Sequence, residues 1–206
     1  MKIKKLIILT LLTVAVVAGS CKYAASKQAE TVESDAIETT SVGEDYLIKE
    51  SSAGQFTIGQ QIPFADNIQK KYLTRITEEG ESEEPIYVVT ENGQGILHIT
   101  PEYDYETETF NNKIGEIIVL SDKFKTTAGI GVNSTIEEFV KKYPDFSVWY
   151  TYVSDTYVIE TGRIDNVQFI LDESDFKGKL EISDEITTLK LSDFKPNTKI
   201  IQIRII

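Results

Sequence analysis

The sequence predicts an α+β fold in which antiparallel sheets pack against two short helices. Segments rich in Val, Ile, Tyr, Phe and Thr recur along the chain, and most are separated by turns that contain Asn, Asp or Gly. Two further segments place apolar residues at helical spacing. Connections of hairpin length favour antiparallel pairing, and short amphipathic helices must then pack on a face of the sheet.

The first residues have the composition of an export signal. Lys2, Lys4 and Lys5 precede an apolar stretch at 6–17, and small residues follow that stretch. About a dozen apolar residues are too few to span the roughly 30 Å hydrocarbon core as a permanent helix. The sequence therefore predicts a signal peptide at 1–20 that is removed after export.

The residue that follows this segment indicates the type of signal. The run Ala18-Gly19-Ser20-Cys21 resembles the lipobox of bacterial lipoproteins, although Ala18 stands where Leu or Val is usual. The resemblance implies that the thiol of Cys21 receives diacylglycerol, with fatty acids such as palmitate, and that signal peptidase II then cleaves the chain before Cys21. Two or more acyl chains are enough for stable membrane residence.

The resemblance also implies a location in the cell envelope. Lys22 follows Cys21, so the aspartate that retains some lipoproteins in the inner membrane is missing. For a Gram-negative source this implies the outer membrane, with the protein facing the periplasm. Cys21 is the only cysteine, which excludes an intramolecular disulfide even in that oxidising compartment.

Composition limits the partners and the domain plan. A net charge of −12 opposes binding to nucleic acid, which requires basic patches. Residues 21–52 are rich in Ala, Ser, Thr and Glu, and they are predicted to form a flexible tether. Alternatively, Tyr46, Leu47 and Ile48 form a first strand. Residues 53–206 are predicted to form a single domain.

This domain shows signs of an internal duplication, with repeats at about 53–125 and 126–206. Three landmarks recur in the same order, about seventy residues apart. They are Ile58-Gly59 and Ile130-Gly131, each before a segment ending Lys-Lys-Tyr; Tyr87-Val88-Val89 and Tyr157-Val158-Ile159, each before a turn with Gly; and the strands that start at Glu116 and Glu185. Each repeat is predicted to be a helix followed by an antiparallel meander.

The second repeat contains the clearer helix. Ser134 and Glu137 have the spacing of a capping box, and Pro144 ends the segment. The apolar residues on one helical face are Ile136, Phe139, Val140 and Tyr143.

The first repeat is predicted to begin with a similar helix. Pro63 is predicted at the first helical position, and Ala65, Ile68 and Tyr72 fall on one face. Strands are predicted at 85–90, 95–103, 114–122, 146–153, 156–161, 166–172, 186–192 and 199–206.

This layout resembles the tandem helix-plus-sheet units of the beta-lactamase inhibitor protein and of small outer-membrane assembly lipoproteins. The segment Gly129-Ile130-Gly131-Val132-Asn133-Ser134-Thr135 also resembles one found in uncharacterised envelope lipoproteins. The resemblance implies a loop and a helix cap, and it brings no catalytic residue to this chain.

Residues for nucleophilic catalysis or transition-metal binding are scarce. His98 is the only histidine, and it lies in an apolar strand at 96–99, where a half-buried or surface role is expected. A catalytic triad needs a histidine beside a nucleophile, and a zinc site needs several Cys or His ligands. The sequence predicts no cofactor.

Calcium is the one metal for which the sequence offers ligands. Glu102, Asp104, Glu106 and Glu108 alternate along a possible strand, so their carboxylates would share one side. Such a row could hold a hard cation. The alternative is a charged edge that prevents aggregation.

Aromatic residues provide the best indication of a binding surface. Trp149, Tyr150 and Tyr152 lie on one predicted strand and Tyr157 on the next. Alternation places Trp149 on one face, with Tyr150 and Tyr152 on the other. An exposed aromatic face could stack on a sugar or a peptide, and the alternative is that all four pack in the core.

The leading hypothesis from the sequence is a membrane-anchored envelope lipoprotein that binds a protein or another envelope component without catalysis. Lipidation, a tether and a sheet scaffold support it, while reactive side chains are few. One alternative is a periplasmic enzyme inhibitor, which the resemblance in layout suggests. Another is a hydrolase that uses paired carboxylates, one of which would need a raised pKa.

Overall fold

The structure is a computed structural model that describes residues 43–77, 80–181 and 184–206. The predicted signal peptide, Cys21 and most of the predicted tether lie outside these residues. The described part contains one α-helix, α1 at Ile136–Lys142, and several 3₁₀ turns. The strands are β1 Leu47–Lys49, β2 Ser52–Ala53, β3 Phe56–Thr57, β4 Ile68–Thr77, β5 Gly80–Glu91, β6 Gln94–Asp104, β7 Thr109–Val119, β8 Lys125–Thr126, β9 Phe146–Thr151, β10 Thr156–Thr161, β11 Val167–Leu171, β12 Ile186–Thr188 and β13 Ile200–Ile205.

These strands form a large sheet and a small one. The large sheet has the order β12-β9-β10-β11-β13-β7-β6-β5-β4, and all its neighbours are antiparallel. The α+β class with antiparallel sheets is therefore confirmed. Each of the eight predicted strands has a counterpart in the large sheet, although the ends differ by several residues. Among the described residues, no helix combines the length and the apolar character needed to cross a membrane.

The small sheet has the order β3-β2-β1-β8, and β1 runs parallel to β8. Ile48 on β1 and Ala53 on β2 are buried in the main core. The folded domain thus begins before residue 53, because β1 belongs to it. This agrees with the alternative in which residues near Leu47 form a first strand.

The large sheet consists of two four-stranded meanders. Strands β4 to β7 form the first, and β9, β10, β11 and β13 form the second, with β12 added at its edge. The meanders meet where β7 pairs with β13, with Ile117 opposite Ile205 and Val119 opposite Ile203. A repeated meander is compatible with duplication, which remains a prediction.

The first predicted helix is absent, because Ile68 and Tyr72 lie in strand β4. Ile68 and Tyr72 are four residues apart, which places them on one side of a strand as well as of a helix. In the structure β4 pairs with β5 over its whole length, from Ile68 opposite Val89 to Thr77 opposite Gly80. Partnering by a long neighbouring strand therefore overrides the weak helical pattern, so a repeat that begins with a helix is not confirmed.

The second predicted helix is present as α1, with its cap shifted by one residue. The backbone N–H of Glu138 donates to Thr135 Oγ1 at 3.2 Å, and the backbone N–H of Thr135 donates to Glu138 Oε2 at 2.7 Å. Ser134 Oγ instead accepts from the N–H of Gly131 at 3.1 Å, inside the preceding turn. Adjacent Ser-Thr and Glu-Glu pairs make either register compatible with the capping-box pattern.

The main core lies between α1, the small sheet and one face of the large sheet, which we call the core face. Residues buried on this face include Leu97, Ile117, Ile159, Phe169 and Ile203. Phe139 of α1 meets Phe169 edge to face, with ring centroids 4.8 Å apart. We call the opposite side of the large sheet the open face.

Candidate binding groove

The open face carries a groove of about 460 Å³ across the second meander. Its residues come from β7, β9, β10, β11, β12 and β13 and from the turns beside them. The apolar side chains in the lining include Ile118, Trp149, Val158, Ile170 and Ile186. The groove is therefore built on a sheet face, not between domains or in a loop.

Strand register brings the apolar residues of this groove side by side. Trp149 lies opposite Val158, and Val158 lies opposite Ile170, so the three side chains share one side of β9, β10 and β11. Val158 is only 1% exposed and Ile170 5%, yet neither belongs to the main core cluster. They form an apolar floor beside Trp149, which is partly exposed.

An ion pair crosses from β13 to β7 in the same groove. Arg204 Nη2 donates to Glu116 Oε2 at 2.7 Å, and the two side chains are 36% and 24% exposed. The Nε–H of Arg204 is buried and has no hydrogen-bond partner. Buried donors are nearly always satisfied in folded proteins, so this N–H marks a polar group with unused bonding capacity.

Two glutamines add neutral polar groups beside this pair. Gln168 on β11 lies opposite Arg204, and Gln202 on β13 lies opposite Ile170. Each amide can both donate and accept hydrogen bonds. The groove thus joins an apolar floor to amide, guanidinium and carboxylate groups.

A second cavity of about 400 Å³ is lined by residues toward the other end of β9 and β10. Gln168 lines both cavities. In the second cavity, Ser147 Oγ donates to Glu160 Oε1 at 3.1 Å.

Of the four aromatic residues predicted to form a binding surface, the structure places only Trp149 in the groove. Tyr150 is buried on the core face, and its ring centroid lies 5.0 Å from that of Tyr157. Tyr157 in turn packs against Phe176 at 4.8 Å. Both tyrosines therefore have the core-packing role that was the alternative.

The phenol of Tyr150 is held by a carboxylate at the next turn. Its O–H donates to Asp155 Oδ1 at 2.8 Å. This hydrogen bond, assisted by burial, raises the pKa of Tyr150 to about 12. Tyr152 differs, because β9 ends at Thr151 and Tyr152 lies in the turn, where it is 51% exposed.

The predicted calcium ligands do not form a row. Strand β6 ends at Asp104, so Glu106 and Glu108 lie in the following turn and in the start of the return toward β7. Asp104 Oδ1 accepts from the N–H groups of Glu106 at 2.9 Å and Thr107 at 3.3 Å, and these bonds lower the pKa of Asp104. Glu102 Oε2 instead accepts from Asn111 Nδ2 at 2.9 Å.

Asp104 and Glu102 therefore accept hydrogen bonds within the β6–β7 hairpin. Within residues 43–77, 80–181 and 184–206, the structure brings together no group of three or more His, Cys, Asp or Glu side chains that could hold a metal ion. The alternation predicted for a single strand breaks where the chain turns.

His98 lies half-buried on the open face, between Val88 of β5 and Ile118 of β7. Burial lowers the pKa of His98, and the nearby charge of Lys71 lowers it further. Both effects favour the neutral form of the imidazole. This matches the expected role of a half-buried strand histidine.

Several carboxyl groups of the described residues have pKa values below the usual range. Hydrogen bonds from Lys123 and then Tyr46 lower the pKa of Glu91. The hydroxyl and N–H of Ser174 lower that of Asp172. A hydrolase that uses carboxyl groups needs one whose pKa is raised, so these groups are unsuited to act as its general acid.

Sequence reasoning missed the polar residues of the groove, although a signal for them exists. In β13 the polar residues Gln202 and Arg204 alternate with Ile203 and Ile205, and Gln168 precedes Phe169 in the same way. Polar residues at alternate positions of a central strand indicate that one face is not part of the main core.

Comparisons with known proteins place few constraints on this chain. No family model matches the sequence, and no curated protein matches it. Among solved structures, the chain is similar to the crystal structure of the uncharacterized protein yfeY from Escherichia coli, with a TM-score of 0.44 and 8% sequence identity. The match covers 77% of this chain and 97% of that one. Similarity at this level supports no conclusion about function.

Proposed function

We propose that this chain is an envelope lipoprotein, anchored through Cys21, that binds a component of the envelope in the groove on its open face and catalyses no reaction. The groove around Trp149 is the observation that carries the proposal. Ligand sites combine a largely apolar wall with a few polar groups that orient the ligand. Trp149 and the apolar floor of Val158 and Ile170 supply the apolar surface, while Gln168 and Arg204 supply polar groups.

The anchor and the groove have complementary roles in this proposal. Acyl chains on Cys21 would hold the protein at the outer membrane, facing the periplasm. The segment that joins Cys21 to β1 would let the domain reach ligands near that membrane. Binding by a tethered domain benefits from a high effective concentration at the surface.

The anchor is tested by metabolic labelling with palmitate in the native host. We expect the wild-type protein to carry label and to fractionate with the outer membrane. The Cys21→Ser variant should be unlabelled and absent from the membrane fraction, because serine lacks the thiol that receives diacylglycerol. Equal labelling of the two proteins would contradict the proposal.

The groove is tested by placing a photo-crosslinking amino acid at Thr156, which lines it, in the native host. The matched control carries the same amino acid at Glu137, an exposed residue on α1. We expect a discrete adduct at Thr156 that is lost when Trp149→Ala is added, and none at Glu137. Adducts of the same kind at both positions would contradict a role for the groove.

The crosslinked species also distinguishes between the kinds of binding that the sequence left open. A soluble enzyme captured in a one-to-one adduct would indicate an inhibitor. A structural component of the envelope would indicate assembly or attachment.

A further inference from the structure

We infer that the ligand of the groove is a neutral oligosaccharide, with one sugar ring stacked on the indole of Trp149. This inference rests on the proposed function and names the class of ligand. It follows from three properties of the groove: a flat aromatic surface, neutral amides beside an internally neutralised ion pair, and a position on the face of a sheet.

The aromatic surface suits a sugar ring. A pyranose presents C–H groups on its faces and hydroxyls around its edge, so a tryptophan can cover a face while the edge remains hydrogen-bonded. Trp149 lies between Val158 of β10 and Thr188 of β12, and it is partly exposed in the groove. Indole is the largest aromatic surface that a side chain offers for such packing.

The polar groups match the hydroxyls at the edge of the ring. A hydroxyl both donates and accepts, and the amides of Gln168 and Gln202 do the same. Arg204 adds donors, because only its Nη2 is bonded to Glu116 and its Nε–H has no partner.

Charge in the groove disfavours an anionic ligand. The charge of Arg204 is balanced by Glu116, and Glu160 and Glu185 also line the two cavities. The whole chain carries a net charge of −12. Lipid head groups and polysaccharides with negative charge would be repelled, whereas a neutral sugar would not.

An acyl chain fits the groove less well than a sugar does. It would cover Gln168, Gln202 and the Glu116–Arg204 pair while providing no hydrogen bonds. Burying polar groups without hydrogen-bond partners is unfavourable, which offsets the gain from covering the apolar floor.

A peptide that binds by adding a strand to a free sheet edge also fits poorly. Strands β7, β9, β10, β11 and β13 each have a neighbour on both sides, so their backbone groups are already paired. The only edge strand in the groove is β12, which is three residues long. Recognition here must therefore use side chains, as it does for a sugar.

The sequence provides its own probe, because Trp149 is the only tryptophan in the chain. We would titrate the acylated protein, in a detergent without a sugar head group, with the tetramer of N-acetylglucosamine and with cellotetraose. We expect a saturable change in fluorescence with at least one of the two, and a matching binding isotherm by calorimetry.

Variants separate stacking from general effects on the protein. Trp149→Ala and Gln168→Ala should each weaken binding about tenfold or more by calorimetry, since each removes a contact worth about 1.4 kcal/mol. Trp149→Phe should retain part of the affinity, which shows that the ring matters and that the fold is intact. Tyr152→Ala, the matched aromatic control outside the groove, should bind as the wild type does.

Failure of this inference is distinguishable from failure of the proposed function. If neither sugar gives a saturable isotherm while the Thr156 adduct still forms, the groove binds another class of ligand and the saccharide inference is wrong. Saturable binding of an extended peptide or a fatty acid that requires Trp149 would also overturn it. If no adduct forms and no sugar binds, the proposed function falls as well.

Discussion

The two faces of the large sheet differ most clearly in the second meander, where alternate residues of one strand lie on opposite faces. Phe169 and Ile203 lie opposite each other on the core face, and both are fully buried. Their neighbours in sequence, Gln168 and Arg204, lie opposite each other on the open face and are only partly buried. A shift of one residue along β11 or β13 thus separates the main core from the lining of the groove.

This difference assigns most of the stability to the core face and leaves the open face for the recognition that we propose. Burying a Phe or Ile side chain contributes about 1.5–3 kcal/mol, so the core face supplies most of the driving force for folding. Polar side chains on the open face contribute less to the free energy of unfolding, because they are only partly buried and remain in contact with water.

The largest effect is expected from Phe169→Ala, which leaves a cavity beside Phe139. Urea unfolding should show a loss of about 3–5 kcal/mol in the free energy of unfolding. The matched control is Gln168→Ala, one residue away on the other face, for which we expect less than about 1 kcal/mol. Similar losses for the two variants would contradict the assignment of the faces.

The next largest effect is expected from the ion pair on the open face. Arg204→Met should lower the free energy of unfolding by about 1–2 kcal/mol, because it leaves Glu116 partly buried without a partner. Both side chains are partly exposed, so solvent screening keeps the loss below that of a buried pair. A double-mutant cycle with Glu116→Gln measures the coupling, and a coupling of zero would show that the pair is not formed in solution.

Tyr150→Phe tests a tyrosine on the core face whose pKa is raised to about 12. Removing its hydrogen bond to Asp155 should lower the free energy of unfolding by about 1 kcal/mol at neutral pH. The folded pKa is raised from 10.0 to about 12, so the wild-type contribution is complete below pH 10 and is lost as the pH rises through about 12.

The same variant therefore predicts a difference in pH dependence. Between pH 10 and about 12, the wild type should lose stability more steeply than Tyr150→Phe, as measured by urea unfolding at a series of pH values. Parallel curves would mean that the pKa of Tyr150 is the same in the folded and unfolded states, which would contradict the prediction.

The smallest effect is expected from Tyr152→Ala, in the turn after β9. Its side chain is more than half exposed, so thermal unfolding should shift by the equivalent of about 0.5 kcal/mol or less. A larger loss would show that the turn is covered by another part of the protein. Such a result would also remove Tyr152→Ala as a control for binding.

Much of the sheet could be predicted from the sequence, because alternation and turn residues act locally. The hairpin β5–β6 follows from Asn92-Gly93, both of which have positive φ, between two runs of β-branched residues. The helix α1 follows from its cap and its apolar spacing. The prediction of the first helix was wrong because a spacing of four residues fits both a helix and a strand. Only pairing with β5 shows that this segment is a strand.

The binding site could be predicted only in part, for a geometric reason. Trp149 was correctly separated from Tyr150 by strand alternation, but the sequence does not say which face is covered. Tyr152 was misplaced because β9 ends one residue before it. The predicted calcium row failed in the same way, since β6 ends at Asp104.

By itself, the sequence determined the antiparallel α+β class, the position of α1 and the alternation within each strand, because these depend on neighbours a few residues apart. It also carries the lipobox-like run at Cys21, whose role remains a prediction. Only the tertiary structure decided that β13 joins the two meanders and that Arg204, Gln168 and Trp149 share one groove. These residues lie on three different strands, and their proximity depends on strand order, which no local pattern specifies.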